Sequence, residues 1–107
     1  MDEFFEVAKV NEIPPGGKKL VEVDGYPVAL FNVDGEFYAI EDVCTHDGGP
    51  LAEGDLDGDE IECPRHGARF NVCTGAALCM PAIEPVECYE VKVEGDAVLV
   101  SAEGEYR

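Results

Sequence analysis

Apolar and polar positions along this chain fall into short runs cut by turn residues. Leu20 to Val23, Pro27 to Val33 and Phe37 to Ile40 are rich in β-branched and aromatic side chains and are separated by Asp24-Gly25 and Asp34-Gly35. Asp-Gly between two such runs is a strong short-range hairpin signal, because both central residues of the tight turn need positive φ. The three runs therefore predict a β-meander. Further on, Tyr89, Val91 and Val93 alternate with Glu90 and Lys92, and Ala97 to Ser101 returns after Glu94-Gly95-Asp96. That period of two predicts a C-terminal hairpin. Pro14-Pro15-Gly16-Gly17 and Asp57-Gly58 add further turns. No stretch repeats apolar residues at spacings of three and four, so no long helix is expected and the chain reads as an antiparallel all-β protein.

Between meander and hairpin lies a segment of different character, Asp42 to Pro85. It holds four of the five cysteines, both histidines and much of the glycine. With 107 residues in all, one compact core is expected and there is no room for a separate catalytic domain. The apolar fraction of 46% is ample for a folded core.

Charge narrows the partners. Seven Lys and Arg against 24 Asp and Glu give a formal charge of −17, which repels nucleic acid and anionic lipid and attracts basic protein surfaces. Nucleic acid is thereby excluded, while the acidity serves either solubility or partner steering. Glu53 to Glu62 packs six carboxylates into ten residues and reads as a solvated hairpin face or as a docking patch. The start, Met1-Asp2-Glu3-Phe4-Phe5, lacks the basic and apolar segments of a secretory signal, and the longest apolar run, Ala76 to Ile83, contains Pro81. It is far too short to span a membrane. A soluble cytoplasmic protein is expected, in which an odd number of cysteines points to metal binding or free thiols.

The chain's two histidines each sit just downstream of a cysteine: Cys44-Thr45-His46, then sixteen residues, then Cys63-Pro64-Arg65-His66. Two thiolates and two imidazoles suit either tetrahedral zinc or a histidine-ligated 2Fe-2S cluster. Zinc modules commonly place cysteines on one arm and histidines on the other. Mixed arms instead suit a binuclear cluster, with Cys44 and Cys63 on one iron and His46 and His66 on the other. A hairpin at Asp57-Gly58 would bring the arms together.

The segments Cys44-Thr45-His46-Asp47-Gly48-Gly49-Pro50-Leu51 and Cys63-Pro64-Arg65-His66-Gly67-Ala68-Arg69-Phe70 resemble the Rieske family, specifically the Rieske-type ferredoxins of bacterial aromatic-ring-hydroxylating dioxygenase systems. Phe70-Asn71-Val72-Cys73-Thr74-Gly75 is similar to the family's following segment. The resemblance implies a single Rieske domain over residues 1–107, with stacked antiparallel sheets carrying a cluster-binding lobe from about 42 to 85. It implies one 2Fe-2S cluster on Cys44, His46, Cys63 and His66, with the histidines toward solvent and Met80 and Pro81 in a covering loop. The implied function is one-electron carriage from an NAD(P)H-dependent flavin reductase to a terminal oxygenase, without catalysis of its own. A small subunit of a larger redox enzyme such as a nitrite reductase, and a zinc-stabilised binding module, remain alternatives.

Another branch of the family carries an extra cysteine in each arm, where this chain has Gly49 and Arg65, and hydroxyl residues where it has Ala68 and Phe70. Lacking donors toward cluster sulfur, the site is expected near the low end of the Rieske range, roughly −150 mV. Arg65 and Arg69 tune docking or pair with nearby carboxylates. Cys73, Cys79 and Cys88 read as buried or partly buried thiols, and a Cys73–Cys79 disulfide is disfavoured by the compartment.

Overall fold

The computed structural model describes residues 3–42, 51–63, 67–79 and 86–105. Among the described residues ten strands form two antiparallel sheets, as the short alternating runs anticipate. The larger sheet, in the order β1-β10-β9-β4-β3-β2, comprises β1 (Phe4–Lys9), β2 (Lys18–Val23), β3 (Tyr26–Val33), β4 (Glu36–Glu41), β9 (Cys88–Glu94) and β10 (Ala97–Glu105). The smaller sheet, β5-β6-β7-β8, comprises β5 (Asp55–Asp57), β6 (Glu60–Glu62), β7 (Arg69–Asn71) and β8 (Ala77–Cys79). A 3-10 turn, Val10–Glu12, follows β1.

The meander forms at its Asp-Gly turns. Asp24 and Gly25 take φ of 50° and 85°, and Asp34 and Gly35 take 51° and 94°, the left-handed pair that a two-residue hairpin turn demands. The second turn is further held by Asn32. This buried amide accepts from Gly35 N at 2.8 Å through Oδ1 and donates from Nδ2 to Ile13 O at 2.7 Å, so its buried polar atoms are satisfied. Strand β2 begins two residues before the apolar run does, because pairing continues to Lys18 opposite Phe31. β1 pairs with β10, Phe4 opposite Ser101.

Buried side chains lie on both faces of the larger sheet. Val28, Leu30 and Ala39 join Val98 and Val100 on one face. Ala29, Phe31, Ile40 and Cys88 point the other way and join Leu51, Ile61, Cys63, Phe70 and Val72 of the smaller-sheet region. This double burial is why β3 reads Val-Ala-Leu-Phe without polar alternation. Each large apolar side chain removed from water there contributes about 1.5–3 kcal/mol.

Candidate metal centre

Four side chains carry the sequence reading of the site, and one of them, Cys63, lies within the described residues. Cys44, His46 and His66 lie outside them, as do Arg65, Met80 and Pro81.

Cys63 directly follows β6. Its side chain is 1% exposed and belongs to the cluster between the two sheets. The chain then reverses: Cys63 N donates to Ala68 O at 2.7 Å, and Gly67 N donates to Cys63 O at 3.1 Å. Gly67 has φ of 77°, a left-handed conformation that glycine adopts without steric cost. Ala68 and Phe70, fully buried just beyond, bring no hydroxyl to this region.

The foot of the first arm is closed by Asp42. This carboxylate is 7% exposed; its Oδ1 accepts from Ala52 N at 2.7 Å, while Asp42 N donates to Pro27 O at 3.1 Å. Asp42 and Ala52, which bracket residues 43–50 in sequence, thus form a hydrogen-bonded gate. Beyond the gate the turn tightens, Gly54 N donating to Leu51 O at 3.0 Å. A Cβ on Gly54 would lie 1.8 Å from Glu62 O. This close approach seats Gly54, three residues beyond the first arm, against the residue preceding Cys63.

The third loop is tied in the same way. Val86 N donates to Gly75 O at 2.9 Å, and Gly75 N to Asn71 O at 2.7 Å. Gly75 has φ of 81°, and a Cβ there would meet Val86 O at 2.2 Å. Asn71 shapes this turn: its Oδ1 accepts from Cys73 N at 2.8 Å and Thr74 N at 3.1 Å. The Asn-x-x-Thr-Gly pattern is a local turn signal. Asp42 has none, since its partner lies ten residues away, and sequence reasoning missed it.

The acidic segment is a hairpin. β5 and β6 pair Asp57 with Glu60 around Gly58, whose φ is 64°. Arg69 on β7 reaches Asp57 and Glu60 at 3.4 Å each and Glu62 at 3.5 Å. The two readings of Arg69 thus resolve toward carboxylate pairing, and Asp57 hydrogen bonding first, with Glu60 next, raises its pKa.

Cys63 and Cys73 form no disulfide. A Cys73–Cys79 bridge is therefore not formed. Burial, before any other influence, pushes the partly buried Cys73 thiol up, and a hydrogen bond with Tyr38 opposes it. The Tyr38 hydroxyl donates to Glu36 Oε2 at 2.5 Å, which raises the phenol's pKa. At the foot of the site, burial first and Glu87 second raise the Glu41 pKa.

No helix among the described residues is long and apolar enough to cross a membrane. Among known families, the Rieske [2Fe-2S] domain matches residues 3–90. The chain is 42% identical over 99 residues to the ferredoxin component of a naphthalene 1,2-dioxygenase system from Pseudomonas aeruginosa, covering 92% of this chain and 95% of the relative. It is 46% identical over 98 residues to a biphenyl dioxygenase ferredoxin subunit from Pseudomonas sp. (strain KKS102), covering 91% and 90%. A solved complex of reduced oxygenase and oxidized ferredoxin in carbazole 1,9a-dioxygenase contains a chain that superposes with a TM-score of 0.92 at 41% identity, covering 97% of each.

Proposed function

Since the chain belongs to the Rieske [2Fe-2S] family, we propose that it is the ferredoxin of an aromatic-ring dioxygenase system, a cytoplasmic one-electron carrier rather than a catalyst. Cys44, His46, Cys63 and His66 would hold its 2Fe-2S cluster, within one domain whose cluster-binding lobe spans about 42 to 85. A flavin-containing NAD(P)H reductase is the donor in this reading, and the terminal oxygenase the acceptor.

The observation that carries the reading is the setting of Cys63. A thiol 1% exposed stands in a turn closed at 2.7 and 3.1 Å, with Gly54, three residues beyond the first arm, seated against the residue before it. The donor set fits the group, since two thiolates and two imidazoles split between two arms match a binuclear cluster better than a single zinc ion. When bound, such a cluster stores one electron, and neutral imidazole ligation keeps its charge small.

The rest of the chain sets conditions around it. Asp42, Gly54 and Gly75 fix the feet of the three loops, and Ala68 and Phe70 withhold hydroxyl donors. Added negative charge then gains little from hydrogen bonding, which supports a potential near roughly −150 mV.

The test is an electron paramagnetic resonance spectrum of the dithionite-reduced protein, with iron, sulfide and zinc counted on the same sample. A rhombic signal with two irons and two sulfides per chain is the expected result. Zinc without iron or signal, even after anaerobic cluster reconstitution, overturns it. Reduction by a flavin reductase and reoxidation by an aromatic-ring oxygenase then test the partners. Reoxidation only by a nitrite reductase would assign the chain to a different system.

A further inference from the structure

Strand β2 ends the larger sheet and pairs on one side with β3. Lys18, Leu20 and Glu22 alternate along it as an exposed row, with Leu20 56% exposed. Lys19, on the opposite face, is held by Glu12 at 2.6 Å. Lys18 and Glu22 make no ion pair among the described residues. Beside the row lies an open cavity of about 410 Å³, lined by Leu20, Val21, Glu22, Gly25 and Pro27. Tyr26, at the adjoining turn, is 62% exposed.

The order of this row decides what fits it. A cation, an apolar side chain and an anion follow one another over about 13 Å of strand. A partner surface of one charge sign gains at one end of the row and loses at the other. The complementary surface must carry anion, apolar group and cation in that order. The same row supplies this when it runs in the opposite direction, as a twofold axis through Leu20 would make it.

We propose that the outer row of β2 is a self-association surface on which a second copy of this chain docks antiparallel, Lys18 against Glu22 of the copy and Leu20 against Leu20 beside the open cavity. Three side chains per copy make a patch below the size of standard stable interfaces. The dimer is therefore weak and concentration-dependent. Two chains of −17 repel at long range, so association is stronger at about 0.15 M salt than at low ionic strength.

Sedimentation equilibrium of the cluster-loaded protein over a wide concentration range tests this. A monomer–dimer equilibrium is expected, weakened about tenfold or more by Lys18→Glu and likewise by Glu22→Lys, each of which places two like-charged pairs across the axis. The double variant K18E/E22K restores the dimer. An equimolar mixture of the two single variants forms a heterodimer that neither forms alone, which also shows that both remain folded. A protein monomeric at every concentration and salt overturns the proposal. So does a dimer indifferent to the single variants, or one that the double variant fails to restore.

Discussion

The gate at Asp42 offers the sharpest test of how the first ligand arm is held. Its carboxylate is buried to 7% exposure and accepts from Ala52 N at 2.7 Å, a distance typical of a charge-assisted bond. Asp42→Ala deletes the acceptor and leaves the amide without its partner. Bonds to charged groups contribute about 1.5–3 kcal/mol, and the half-buried setting of Ala52 places this one near the middle, about 2 kcal/mol. If opening of residues 43–50 limits loss of the cluster, that energy corresponds to about thirtyfold faster loss. The assay is first-order bleaching of the visible absorption in moderate urea, a rate measurement suited to a transition that releases its cofactor irreversibly. Asp42→Asn keeps an acceptor and loses only the charge assistance, so it should bleach within about fivefold of the wild type. The reasoning fails if Asp42→Ala bleaches no faster than wild type, or if Asp42→Asn bleaches as fast as Asp42→Ala.

Three other outcomes follow from the same structure. Phe70→Tyr with Ala68→Ser adds hydroxyls beside the site and should raise the midpoint potential in protein-film voltammetry; an unchanged or lower value on folded protein would remove the hydrogen-bond account. Arg69→Gln leaves Asp57, Glu60 and Glu62 without their shared cation, so the urea midpoint should fall at low salt and recover as salt screens the carboxylates; a loss independent of salt would point to packing instead. Glu41 has its pKa raised in the fold, so the folded chain binds its proton more tightly than the unfolded chain does. The stability this gives is present below the ordinary glutamate pKa and is lost as pH rises through the raised value. Glu41→Gln should therefore increase thermal stability at neutral pH and not in acid, and equal gains at both pH values would contradict it.

Much of the fold was legible because its signals are local. Asp24-Gly25 and Asp34-Gly35 dictate φ within two residues, and the apolar runs on either side had only to pair across them. The C-terminal hairpin was visible for the same reason. β1 was not, since its pairing of Phe4 with Ser101 spans almost the whole chain and no turn residue announces it. At the site, the paired Cys-x-His and Cys-x-x-His arms were readable as ligand chemistry, and that reading still rests on the motif for Cys44, His46 and His66. What holds the arms was hidden. Asp42 meets Ala52, Gly54 meets Glu62, and Gly75 meets Val86, contacts between residues whose types alone do not name their partners. The role of Arg69 was undecided in sequence because its carboxylates lie on two other strands.

The buried cluster between the sheets binds Phe31, Ile40 and Cys88 of the larger sheet to Ile61, Cys63 and Phe70 of the smaller-sheet region. Neither sheet has a private core on that side. The three-residue strands of the smaller sheet are too short to persist as an independent unit in water. Opening of the region around Cys63 should thus cost nearly the full free energy of unfolding, and amide hydrogens of Ile61 and Phe70 should exchange with those of Phe31 and Ile40 as one cooperative block.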